Sequence, residues 1–98
     1  MSNKKVGVVM SYWKNDNPVY LENAIQSIIQ QSKKIDSFIL VRDGPVSDNL
    51  LKVASKFSEK GFLKEYILKL NKGRGFARDY GIKLCKCDFI AIMDSDDI

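Results

Sequence analysis

The chain has no histidine, and its two cysteines, Cys85 and Cys87, stand alone at C-x-C spacing. With no second cysteine pair, a zinc site lacks ligands. Ordinary thiols, at least one of them buried, are the expected state, with a strained disulfide or redox pair as the alternative. Long apolar runs are absent too. Nothing approaches the roughly 20 residues needed to span a bilayer, and Val6 to Met10 is too short for a signal-peptide core and better used as a strand. The expected location is cytoplasmic, with the inner face of the membrane, through regions outside this sequence, as the alternative. Basic runs are no longer than the pairs Lys4-Lys5 and Lys33-Lys34. A formal net charge of +4, so dispersed, argues against a nucleic-acid partner and suits an anionic small molecule. There is no internal repeat, low-complexity segment or linker, and no P-loop.

What is present is a 98-residue chain with 45% apolar residues, enough for one globular domain. Its end is the most informative stretch. Phe89-Ile90-Ala91-Ile92-Met93 reads as a short buried strand, and it runs into Asp94-Ser95-Asp96-Asp97-Ile98. Clustered carboxylates repel one another. A bound Mn2+ or Mg2+ with hard oxygen ligands relieves that cost, and a polar surface turn is the alternative.

Upstream, apolar strands and amphipathic helices alternate. Val6 to Ser11 is the first strand. Asn17 before Pro18 reads as an N-cap, and Leu21, Ala24, Ile25, Ile28 and Ile29 form one helical stripe ending near Gln31 or Ser32. Ser37 to Val41 is the second strand, broken by Arg42-Asp43-Gly44-Pro45. Ser47 or Asp48 caps a helix with the stripe Leu50, Leu51, Ala54 and Phe57, which stops at Gly61. Glu65 to Leu70 is a weakly alternating third strand, suited to an edge. Phe76, Ala77, Tyr80, Ile82 and Leu84 suggest a third helix, closing near Cys85.

The order β-α-β-α-β-α-β predicts a mostly parallel Rossmann-like sheet with helices on both faces. Placing the reversal of strand order beside the Asp cluster gives the order 3-2-1-4. Ligands in such sheets bind at the carboxyl ends of the strands. There Tyr12 and Trp13 can wall a flat heterocycle or serve as core aromatics. Asp43 can accept from a base or ribose, or simply form a turn. Gly73-Arg74-Gly75 can cradle phosphate or be a plain loop, and Arg74 with Arg78 can pair a diphosphate or stay solvated.

These residues resemble family 2 glycosyltransferases of the GT-A fold along the whole chain. The likeness rests on Val8-Val9-Met10, on the helix from Tyr20 to Ser32, and on Ile39-Leu40-Val41-Arg42-Asp43-Gly44. It continues through Asn71, Gly73, Ala77-Arg78-Asp79-Tyr80-Gly81 and the Asp-x-Asp strand. The resemblance implies a nucleotide-diphospho-sugar donor, UDP-linked, and a saccharide or lipid-linked saccharide acceptor. It assigns Ser11, Tyr12 and Trp13 to the base, Asp43 to a base contact, Asp94 to the ribose, Arg78 to the donor and Asp96 to a bridging Mn2+ or Mg2+. Arg42 and Lys14 depart from the family pattern and are expected to make the pocket more basic. Family members continue beyond the Asp-x-Asp motif. The expectation is therefore a nucleotide-sugar-binding half over residues 1–98, inactive alone, with its catalytic base beyond Ile98. An uncovered fourth strand would allow a homodimer. Two rivals remain: a non-catalytic nucleotide-binding or self-associating module, and a phosphatase whose Asp-x-Asp nucleophile normally lies near the N-terminus.

Overall fold

The computed structural model describes residues 4–31 and 35–94. Its elements alternate as the sequence predicts: β1 (Val6–Tyr12), α1 (Pro18–Gln31), β2 (Ser37–Asp43), α2 (Asp48–Glu59), β3 (Lys64–Leu68), α3 (Arg74–Leu84) and β4 (Phe89–Asp94). The four strands form one sheet in the order β3-β2-β1-β4, and every pairing is parallel. The chain steps outward from β1 to β3. It then returns across the sheet through α3 and lays β4 on the far side of β1. The reversal of strand order therefore falls between β1 and β4.

β1 and β2 are the central strands, and each buries four consecutive residues, because helices cover both faces. Val8, Met10, Phe38 and Leu40 pack under α1 and α2, against Leu21, Ile25, Leu50 and Phe57. Val9, Ile39 and Val41 pack under α3, against Ala77 and Cys85. Gly81 lets α3 approach closely: a Cβ there would lie 2.6 Å from Val9 Cγ1. Both predicted caps form. Asn17 Oδ1 accepts the N–H of Val19 at 2.8 Å and of Tyr20 at 3.2 Å. Ser47 Oγ accepts the N–H of Leu50 at 3.3 Å. Each cap contributes about 1 kcal/mol.

Several boundaries differ from expectation. β1 runs one residue further, to Tyr12. β2 continues through Arg42 and Asp43, because Arg42 pairs with Tyr12 on one side and Ile67 on the other. β3 ends at Leu68, whose carbonyl accepts the Gly44 N–H at 3.1 Å, so Leu70 is left outside the sheet and 67% exposed. In α2 it is Val53, not Leu51, that is buried with Leu50, Ala54 and Phe57. Phe76 is exposed at 51%, because α3 turns Ala77 and Gly81 to the sheet. β4 is not a buried strand. It pairs only with β1 among the described residues, and α3 packs over β1 and β2 instead, so Phe89 and Ile92 are exposed.

The cysteines are both free, and Cys85 is buried, as expected of ordinary thiols. Burial, followed by the contact with Cys85, pushes the Cys87 thiol up to about 11. Asp36 and Asp88 tie the opposite end of the sheet by accepting the N–H groups of Val6 and Lys5, each at 2.7 Å.

Candidate functional site

A cleft of about 390 Å³ opens at the carboxyl ends of the strands, at the reversal between β1 and β4. Ser11, Tyr12 and Trp13 at the end of β1 form one wall, with Asp16 beside them. Asp43, Asn71, Gly73 and Arg74 form the opposite wall. Asp94, which pairs with Ser11 on the side of β1 away from β2, also lines the cleft. The parallel register produces this gathering: strands that start together end together, so their terminal polar residues share one rim.

Each wall is held by backbone bonds to a carboxylate. Trp13 sits on a closed turn, in which Asp16 Oδ2 accepts the Trp13 N–H at 3.0 Å and the Trp13 carbonyl accepts the Asp16 N–H at 3.1 Å. Asp43 is 3% exposed, yet both of its oxygens are satisfied. Oδ1 accepts the Lys72 N–H at 2.7 Å, and Oδ2 accepts the Gly73 N–H at 3.0 Å. Gly44 completes the clamp with φ +84, a region that favours glycine. A Cβ there would lie 2.8 Å from Asn71 N. Asp43 therefore holds the loop that presents Gly73 and Arg74, in addition to lining the cleft.

Of the residues predicted for the site, Ser11, Tyr12, Trp13, Asp43 and Asp94 line the cleft. Arg78 does not line it; it is exposed, one helical turn further along α3 than Arg74, which does. Asp96, the expected metal ligand, lies outside the described residues. So does Ile98, beyond which the catalytic base is expected, and no described residue is assigned that role. Tyr12 is 1% exposed, and its hydroxyl is committed: it donates to Glu65 and accepts from Arg42 Nε at 3.1 Å. Burial first, then the Glu65 carboxylate, raises the Tyr12 phenol above its ordinary pKa. Arg42 does not make the cleft more basic, because its guanidinium bonds Glu65 at 3.0 and 3.2 Å away from the cleft. Burial works against that cation, but the contacts to Glu65 and Tyr12 outweigh it and hold its pKa above the ordinary value. Lys14 is exposed and does not line the cleft either. Asp16 is a cleft residue that the sequence reading misses; the Trp13-to-Asp16 spacing of a turn is its only signal. Asn71, which carries the family likeness without a site role in the sequence, lines the cleft, as does Gly73 of the candidate phosphate loop.

The described part of the cleft does not by itself build a metal site. No group of three metal-ligating side chains comes together among the described residues. Asp94 offers one hard oxygen donor, while the oxygens of Asp43 and one oxygen of Asp16 already accept amide hydrogens.

A parallel α/β sheet with a ligand cleft at the reversal of strand order is the class that this topology defines. The family described as Glycosyl transferase family 2 matches residues 8–98. The chain belongs to this family of glycosyltransferases. It is 34% identical over 94 residues to the Escherichia coli UDP-Gal:alpha-D-GlcNAc-diphosphoundecaprenol beta-1,3-galactosyltransferase, covering 96% of this chain and 34% of that protein. The chain spans about a third of the length of this relative and of two further curated glycosyltransferases that it matches. Among solved structures, Staphylococcus aureus TarS 1-349 in complex with UDP superposes with a TM-score of 0.79 at 24% identity, over 94% of this chain and 27% of that one. The mannosyltransferase PcManGT from Pyrobaculum calidifontis, in complex with GDP-Man and Mn2+, gives 0.76 at 17% identity, over 97% and 28%. These two likenesses establish the GT-A fold.

Proposed function

We propose that this chain is the donor-binding part of a glycosyltransferase that moves a sugar from a UDP-linked donor to a saccharide or lipid-linked saccharide. The cleft at the β1–β4 reversal carries the reading, because it sets an aromatic wall, a clamped loop with one cation and the Asp94 carboxylate around one volume. In this reading Trp13 stacks against the base. Arg74 pairs with the diphosphate, whose charge grows as the sugar bond breaks. Asp94 accepts from the ribose hydroxyls. Asp43 keeps Gly73 and Arg74 in place, and a base contact would use lone pairs its amide partners leave free. Support comes from the E. coli relative, named for UDP-Gal and a diphosphoundecaprenol acceptor, and from the UDP bound to TarS.

Dependence on Mn2+ or Mg2+, with Asp96 as ligand, belongs to the same proposal and rests on the Asp-x-Asp spacing and on the Mn2+ bound to PcManGT. Such an ion supplies charge neutralisation of the leaving diphosphate. The base that activates the acceptor is assigned to the whole protein, beyond Ile98, not to a residue described here. A cytoplasmic location and self-association through the β4 edge, where Phe89 is 59% exposed, complete the reading.

Calorimetry tests it, with UDP, GDP and CDP titrated with and without Mn2+. UDP should bind most tightly, and Asp94→Asn should weaken it about tenfold, the loss of one charged hydrogen bond. Asp96→Asn should abolish only the metal-dependent part. No binding of any nucleotide to the parent, with a dimer seen by light scattering, would favour the self-associating module.

A further inference from the structure

The cleft has a lip that donor binding does not explain. Residues 69–78 carry Lys69, Lys72, Arg74 and Arg78 and no acid, so ten consecutive residues hold a charge equal to the formal net charge of the whole chain. In the sequence these cations are separated by Leu, Asn, Gly, Phe and Ala and never form a run. The turn from β3 into α3 gathers them at one end of the sheet, and all four side chains are exposed. Two large apolar side chains stand among them, Leu70 at 67% exposure and Phe76 at 51%. Lys72 Nζ lies 5.9 Å from the Phe76 ring centroid, so cation and apolar group occupy one patch. Arg74 alone of the four cations lines the cleft, which leaves Lys69, Lys72 and Arg78 without a role there.

We propose that this lip docks on an anionic phospholipid surface. Cations attract anionic headgroups, and Leu and Phe side chains between them enter the headgroup–acyl boundary. A polyanion in water has use for the cations only and leaves Leu70 exposed. The lip is also pre-ordered, because Asp43 holds the amides of Lys72 and Gly73, so docking costs little loop entropy. Asn71, Gly73 and Arg74 belong to both lip and cleft, so docking sets the cleft mouth at the bilayer surface. Resting on the proposed function, this is where a lipid-linked acceptor presents its head.

Sedimentation of this chain with vesicles tests the docking. Binding is expected to 1:1 phosphatidylglycerol–phosphatidylcholine vesicles, little to phosphatidylcholine alone, with loss in 0.5 M salt, a condition of roughly threefold shorter screening length than low-salt buffer. Lys69→Glu/Lys72→Glu should lower the partition coefficient about 25-fold or more, since each of the two cations contributes about a fivefold factor. Leu70→Ser/Phe76→Ser, which alters no charge, should lower it by a similar factor. Circular dichroism checks the fold of both variants, and the salt series on the parent stands in for a variant that fails to fold. Equal binding to both vesicles, none to the anionic ones, or full retention in Leu70→Ser/Phe76→Ser overturns the proposal; the last outcome, with competition by polyphosphate, would make the lip a polyanion site. UDP titration of the same samples separates the two readings: vesicle binding without UDP binding removes the donor assignment and keeps the lip.

Discussion

The Asp43 carboxylate, at the end of β2, accepts the backbone N–H of Gly73 at the start of α3 at 3.0 Å, thirty residues away in sequence. Together with the Lys72 bond it fastens one wall of the cleft to the sheet. Asp43→Ala leaves two amides without their acceptor and should destabilise the chain by about 3 kcal/mol, from two charge-assisted hydrogen bonds. Nucleotide binding should weaken with or without metal. Hydrogen exchange at the amides of residues 72 and 73 should accelerate in the unliganded protein. Unchanged exchange there would show that Asp43 acts on the ligand alone.

Trp13 is the one tryptophan of the chain, and it lines the cleft, so its fluorescence reports the site directly. UDP should change its emission. Asp16→Ala removes the acceptor of the Trp13 N–H and frees the turn. We expect a weaker nucleotide response, by about five- to tenfold in affinity, from roughly 1 kcal/mol of lost hydrogen bonding and order. An unaltered titration would show that the turn holds without Asp16.

Gly81→Ala tests the seat of α3. The added methyl would meet Val9 Cγ1 at 2.6 Å and Val41 Cγ2 at 3.1 Å, both in the sheet. Overpacking of this kind costs about 1–3 kcal/mol, and better helix propensity returns at most about 1 kcal/mol. Denaturant unfolding should show a net loss. A net gain would mean that α3 can lift from the sheet without penalty.

Stability should fall as pH rises from about 9 to about 11. Cys87 has its thiol raised to about 11 in the folded chain from an ordinary 9.0. The unfolded thiol ionises first, so the contribution is fully present below pH 9 and is lost as pH approaches 11. The raised Tyr12 phenol acts in the same direction at higher pH. Cys87→Ser should flatten the lower part of the decline and Tyr12→Phe the upper part. Identical pH profiles for the parent and both variants would contradict this assignment.

The succession of elements and the strand order were legible in the sequence, because periodicity, caps and breakers are local, and the acidic end of the fourth strand marks where the order reverses. Asn17 and Ser47 cap as read, and Leu21, Ala24, Ile25 and Ile28 are buried as read. The partners of the polar residues were not legible. Nothing near Asp43 in sequence says that its carboxylate meets the amides of residues 72 and 73, or that Arg42 turns to Glu65 and Tyr12 rather than to the cleft. Sheet register decides these pairings, by bringing the ends of β1, β2 and β3 together across 23 to 53 residues of chain. Register likewise decides that Asp94 lies beside Ser11. The packing of α3 decides that Arg74 enters the cleft while Arg78 and Phe76 do not line it. A helix stripe shows which residues share a face, but the tilt and depth of the helix on the sheet, set here by Gly81 against Val9, fix what each face meets.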